Sequence, residues 1–194
     1  TPSGSLLAES RWLLPVVALI GGVVVVAAIL SAIFSEDPTS PDAPGSGGET
    51  TRVRVAEATS FDPLGDDGEE HSDLAHLAHD RDPATNWHTE SYEDPLQIIK
   101  DGVGLVFDLG SEQTVESVEI TSPFGGYAVE IRTASSFPAA LDDTELVEQL
   151  DDVSTSESIR IEPTTARYWI VWITSLPGGG AGRAEISEVS FFGS

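Results

Sequence analysis

The sequence predicts an all-β domain, a jelly-roll type of β-sandwich, preceded by one transmembrane helix and a disordered linker. Three observations predict it. About eight short segments alternate apolar and polar residues with a period of two, the mark of a half-buried strand. Gly and Pro fill the gaps, and only one stretch has a helical pattern, so the strand–helix alternation of an α/β fold is missing. Ahead of these segments, residues 12–34 form an uncharged run of 23 residues; a membrane-spanning helix needs about 20.

Residues 1–11 form a short leader. Arg11 lies on the N-terminal side of the run and Glu36 and Asp37 follow it. Because only Lys and Arg set topology, this predicts a cytoplasmic N-terminus and an extracytoplasmic C-terminal part, on a single-pass cell-membrane protein. The run exceeds the 7–15 apolar residues of a secretory signal core, and no clear small-x-small cleavage site follows it. Residues 35–51 are rich in Pro, Ser, Gly and acid and have no apolar period, as expected of a solvated spacer. The chain has no Met, as expected of part of a longer membrane protein or a chain that has lost its initiator.

The domain is expected over residues 52–194. Val53 and Val55 oppose Arg52 and Arg54 in a first strand. Residues 69–79, with Leu74, Ala75, Leu77 and Ala78, are the only helical stretch. Residues 103–109 read as a mostly apolar strand, and 117–120 as a strand with Val118 and Ile120 facing inward. Tyr127, Val129 and Ile131 oppose Glu130 and Arg132; residues 146–153 form a further strand; Ile159 and Ile161 oppose Arg160 and Glu162. Residues 168–173 are apolar on both faces, which suits a central strand. In the last strand, 184–192, the apolar parity shifts between Ile186 and Val189, as a bulge re-aiming Glu188 produces.

Charge narrows the function. The chain carries 33 Asp and Glu against 9 Lys and Arg, a formal net charge of −24. This excludes the basic footprint of a nucleic-acid binder and of a polybasic membrane-surface binder. With no cysteine, disulfides, thiolate catalysis and Cys-ligated metals are excluded. None of G-x-S-x-G, H-E-x-x-H or a P-loop occurs, so the chain is read as non-enzymatic. His71, His76 and His79 fall within nine residues but read better as a polar helix face than as a transition-metal site. Residues 77–87 are rich in oxygen: acids at Asp80 and Asp82, a turn-forming Pro83 and Thr85 together suit a hard cation such as calcium. A turn with solvated acids fits those residues equally well.

The order of several motifs resembles one family. Ala78-x-Asp80-x-Asp82-x-x-Thr85-x-Trp87, Phe107-Asp108-Leu109-Gly110, the 114–120 strand and Ile186-x-Glu188-Val189-x-x-Phe192-Gly193 are similar to the conserved pattern of discoidin domains. These are also called coagulation factor 5/8 type C domains, and they resemble family 32 carbohydrate-binding modules. The fold this resemblance implies is the galactose-binding-like sandwich. The run Phe61-Asp62-Pro63-Leu64-Gly65 and the run Arg167-Tyr168-Trp169-Ile170-Val171-Trp172 look like the C-terminal outer domain of MviN-like and kinase-like membrane proteins of high-GC Gram-positive bacteria. This chain contains neither a multi-span transporter nor a kinase domain, so those activities do not carry over.

The resemblance implies a structural calcium ion held by the Leu77 carbonyl, Asp80, Asp82, Thr85, the Ser187 carbonyl and Glu188, with Glu185 as an alternative to Glu188. Arg81 stands where the family has Gly. It implies sugar contacts at one rim by loop aromatics and polar groups, here Tyr92, His88, Phe124 and Tyr127, with Trp87 buried. The expected function is a membrane-anchored, extracytoplasmic, non-catalytic binding module for cell-wall glycan or an envelope-assembly component. The alternative is a structural domain that docks a membrane or envelope protein and takes no small ligand.

Overall fold

The computed structural model describes residues 50–65, 68 and 70–194, and Gly47–Ser194 forms one compact unit. The leader, the 12–34 run and the spacer up to residue 49 lie outside the described residues. Among the described residues no helix is long and apolar enough to cross a membrane.

Nine strands make the sandwich. In order they are β1 (Thr51–Val53), β2 (Glu57–Phe61), β3 (Trp87–His88), β4 (Val103–Thr121), β5 (Tyr127–Ala134), β6 (Glu145–Val153), β7 (Ser156–Ser175), β8 (Glu185–Ile186) and β9 (Glu188–Gly193). Two of them are long enough to serve both layers. The first half of β4 pairs with β2 and with the second half of β7, which continues to β5 and β6. The second half of β4 pairs with β9 and with the first half of β7, and β9 carries β1. Register shifts between Asp108 and Gln113, and between Val115 and Ser117, mark where β4 turns from one layer to the other. Bulges of this kind bend a strand and sharpen its twist. All the pairings are antiparallel.

The core lies between the layers. Leu105, Phe107, Trp169, Val171 and Ile173 from one sheet meet Val118, Ile120, Val189 and Phe191 from the other, all at 0 % exposure. Alternation along β7 sends Ile170 and Trp172 to the outer face, where they form a second cluster with Phe61, Val106 and Ala134. Residues 168–173 are therefore apolar on both faces because this strand, hydrogen-bonded to β4 and β5, is covered on both sides.

Three expectations need correction. Residues 69–79 do not form an α-helix: the segment is a 3₁₀ helix over Ser72–His79, following His71 in a left-handed conformation. It buries only Ala75 and Ala78, and a segment that lays two small residues on the sheet gains nothing from continuing as α. The strand expected at 52–57 ends at Val53, and a new strand, β2, begins at Glu57 and pairs with β4. A four-residue α-helix, α1 (Leu96–Ile99), lies in what reads as a loop.

The Asp108 and Arg167 of the quoted motifs clamp the two long strands together. The guanidinium donates from Nε to Oδ1 at 2.8 Å and from Nη2 to Oδ2 at 2.7 Å, a bidentate fork. The Arg167 side chain is 42 % exposed, so solvent screens the pair and its contribution is modest. The Arg167 fork beside Asp108 holds its carboxyl below the usual carboxylate range. A depressed carboxyl stabilises the fold above its unfolded pKa and loses that contribution as pH falls through the lowered value. Asp108→Asn is thus expected to lower the unfolding midpoint slightly at pH 7, and by progressively less as the pH is taken down through the lowered value. A difference that persisted unchanged into acid would remove the ion pair from the explanation.

Candidate functional site

The structure brings Asp80 of the acidic loop against Thr85 of the same loop and Glu188 of the last strand. The 3₁₀ helix, which holds Leu77 in its last turn, delivers the loop at Asp80. The loop is folded by its own acids. Asp80 Oδ1 accepts from the Asp82 N–H at 2.8 Å, and its Oδ2 accepts from the Thr85 hydroxyl, also at 2.8 Å. Asp82 Oδ1 accepts from the Ala84 N–H at 3.0 Å. Burial raises the Asp80 carboxyl, but these donors outweigh it and hold the group below its ordinary range. Trp87 then seals the loop: its ring is fully buried and its indole N–H donates to the Glu70 carbonyl at 2.8 Å.

The parity shift of the last strand is a break at Ser187. Its N–H donates to the Thr121 carbonyl at 2.8 Å, separating β8 from β9 and starting β9 at Glu188. Glu188, 8 % exposed, comes within hydrogen-bonding reach of the Asp80 carboxyl. It accepts the Arg81 N–H on one oxygen and Arg52 Nη2 on the other at 3.0 Å. Glu185 is held by Arg183 at 2.7 Å. Arg81 takes φ 70, the left-handed region that its Gly counterpart in the resembled motif adopts freely. Arg52, which reads as the outward face of a strand, is a participant that sequence reasoning missed.

This set of oxygens suits a hard cation. Two carboxyls approach each other, and the guanidinium of Arg52 is the cation against them. Among the described residues no three His, Asp or Glu side chains form a metal-binding group. An ion here would accordingly rest on Asp80 and Glu188 plus neutral oxygens such as those of Thr85.

The rim residues do not form one cluster. Tyr127 is at 0 % exposure, and burial pushes its hydroxyl up to about 12 while that hydroxyl bonds to Ser122. It is a core residue with no ring face left for a sugar. Phe124 is 62 % exposed, in the turn before Gly126, whose N–H bonds the Val153 carbonyl at 2.8 Å. His88 is half-buried, with its ring centroid 4.3 Å from that of His71. Tyr92 is half-buried, with Lys100 Nζ 5.1 Å from its ring centroid.

Tyr92 and His88 share a polar network that sequence reasoning missed. Glu70, 1 % exposed, accepts the Tyr92 hydroxyl and the Glu90 N–H on Oε1, the latter at 3.0 Å. Burial raises both the Glu70 carboxyl and the Tyr92 hydroxyl. His71 lies 3.3 Å from Glu90. Beside them Lys100 Nζ pairs with Asp62 at 2.7 Å. The available signal was the acid-rich 61–70 run itself, together with the only lysine of the chain.

No protein-family model matches the sequence. Solved structures do match the coordinates. The CBM32 of AlyQ in complex with 4,5-unsaturated mannuronic acid is 22 % identical, with 74 % of this chain and 99 % of that one covered at a TM-score of 0.53. Chitosan-binding module 1 from the chitosanase/glucanase of Paenibacillus sp. IK-5 is 20 % identical over 73 % and 97 %, at 0.54. CpGH89CBM32-5 of Clostridium perfringens, in complex with GalNAc-β-1,3-galactose, is 17 % identical over 71 % and 94 %, at 0.52. The domain has the fold of the family 32 carbohydrate-binding modules. At these identities the likeness concerns the fold, and the sandwich expected from the discoidin-like motifs is the one observed.

Proposed function

We propose that the sandwich is a non-catalytic carbohydrate-binding module, held outside the cell membrane by the 12–34 run, with cell-wall glycan as its ligand. The observation that supports it is the likeness of fold over nearly the whole length of three carbohydrate-binding modules, two of them in complex with sugars. Among the expected rim residues Phe124 is the exposed aromatic on which an apolar sugar face would stack; His88 and Tyr92 are the polar candidates of a separate contact. Calcium is proposed as a structural ion held by the carboxyl groups of Asp80 and Glu188 together with neutral oxygens of Leu77, Asp82, Thr85 and Ser187. It would tie the loop to the last strand.

Co-sedimentation of Gly47–Ser194 with purified bacterial cell wall, in calcium and in EDTA, tests the reading. Saturable pelleting is expected, weakened about tenfold by Phe124→Ala. Calcium at 100 times its dissociation constant is expected to stabilise the fold by about 2.7 kcal/mol, and Glu188→Gln to remove that gain. Unchanged melting in calcium and EDTA would reject the ion and leave the module.

A second reading has its own observation. Ile98 and Ile99 of α1 are 75 % and 49 % exposed, and Leu64 is 52 % exposed, large apolar side chains that a protein partner could cover. A folded domain that never pellets with wall but co-purifies with an envelope protein favours this reading.

A further inference from the structure

We infer that a pocket beside β1, lined by Arg52, Arg54, His79 and Arg81, is an oxyanion site that takes one carboxylate or phosphate group. This goes beyond the glycan reading and stands without it.

The first argument is where the cations are. From Thr51 onward the chain has 28 acidic and 8 basic side chains. Five of the eight pair with an acid among the described residues. Lys100 pairs with Asp62, Arg132 with Glu130, Arg167 with Asp108, Arg183 with Glu185 and Arg52 with Glu188. Three of the eight, Arg52, Arg54 and Arg81, line this single cavity, together with Val53, Val55 and His79. Only Arg52 among them has an acidic partner among the described residues, and it reaches Glu188 through Nη2 alone. Arg54 and Arg81 have none.

The second argument is that two of the guanidinium forks keep free donors. Arg52 in β1 and Arg54 just past its end both line the cavity. Arg81 comes from the facing loop. Its neighbours Asp80 and Asp82 turn carboxylate oxygens to the donors of their own loop, the Asp82 and Ala84 N–H groups and the Thr85 hydroxyl. Glu188 is the one acid paired with a pocket guanidinium; Asp80 and Asp82 keep their charge but commit oxygens to their own loop, so the forks of Arg54 and Arg81 are left without an acidic partner among the described residues. His79 also lines the cavity, half-buried and edge-on to Phe107 at 6.5 Å.

The third argument is size. The cavity measures 150 Å³, about five times the roughly 30 Å³ share of a water molecule. That is room for a carboxylate or phosphate group with its first carbon. Planar guanidinium forks match both groups with paired N–H donors. The two sources of such a group are a free ion and an acidic substituent on a saccharide.

Isothermal titration calorimetry on the 194-residue chain, at a fixed ionic strength of 0.15 M, tests this with glucuronate, inorganic phosphate and glucose. Two variants remove pocket charges without touching the core: Arg54→Gln, and Arg81→Gly, which also suits the positive φ of that position. Arg160→Gln is the control, since Arg160 is exposed and has no acidic partner among the described residues. Glucuronate, phosphate or both are expected to saturate one site, with each pocket variant weakening them about tenfold and Arg160→Gln leaving them unchanged. Glucose should not compete. Glucuronate binding far better than phosphate assigns the site to an acidic saccharide; the reverse assigns it to the free ion. Equal weakening by all three variants would reduce the effect to net charge and overturn the site, as would anion binding indifferent to Arg54→Gln and Arg81→Gly, or no anion binding at all. Wall pelleting that survives such a failure would leave the module reading untouched.

Discussion

Lys100→Ala is expected to cost about 3–5 kcal/mol of unfolding free energy, read from urea denaturation of Gly47–Ser194, because it strands a buried carboxylate. Asp62 is 3 % exposed and the Lys100 side chain 8 % exposed, with Nζ and Oδ2 2.7 Å apart. Asp62 Oδ1 is a buried oxygen with no hydrogen-bond partner, so the lysine is the carboxyl's only side-chain partner among the described residues. The motif around it serves this pair. The Gly65 N–H bonds the Asp62 carbonyl at 3.2 Å, and a Cβ on Gly65 would overlap the Asp62 carboxyl. Removing both charges together, as Asp62→Leu with Lys100→Met, should recover much of the loss, since a buried ion pair often yields little against apolar residues of similar volume. A Lys100→Ala penalty below 1 kcal/mol would show that water reaches the carboxylate.

Trp87→Ala is expected to cost a similar amount, about 3–5 kcal/mol. Two losses combine: a fully buried ring, and the donor to the Glu70 carbonyl. Trp87→Phe separates them, because it keeps most of the ring and removes only the indole N–H, at about 1–3 kcal/mol. Trp87 is also the residue that ends the acidic loop, so its loss should loosen Asp80, Asp82 and Thr85 together. Amide exchange of the loop checks this: faster exchange at Asp82, Ala84 and Thr85 in the alanine variant is the expected result, and unchanged exchange would show that the loop's own bonds hold it.

The sandwich was legible where side-chain period and burial agree. Residues 127–134 and 168–173 read correctly because each lies against the main core, and 168–173 reads as central because it is covered on both faces. The shift of parity around Ser187 was visible as a broken alternation, and it was the feature that aimed Glu188. What was not legible follows from contacts between distant residues. The β2 strand reads Glu-Ala-Thr-Ser-Phe, with little apolar signal, because only its last two residues are buried. Residues 69–79 have a helical apolar spacing yet form 3₁₀, since the spacing fixes the buried side and not the hydrogen-bond pattern. Tyr127 was expected at the rim from the family resemblance, but its hydroxyl bonds Ser122, and the burial that pairing allows cannot be read from neighbours in the chain. The basic pocket was invisible for the same reason: Arg52 and Arg81 are far apart in sequence and brought together by the edge of a sheet.

The pairing of β1 with β9 joins Thr51 to Gly193, the two extremes of the domain. Antiparallel neighbours at such a separation close the longest loop the chain can make, and closure of this kind is slow and comes late. During synthesis, the first strand therefore has no partner until the last residues emerge. The unfinished domain carries an open edge through nearly all of its translation and is exposed to misassembly for that time. The edge that is closed last also holds Arg52, so its pairing with Glu188, and with it one wall of the basic pocket, waits for that closure.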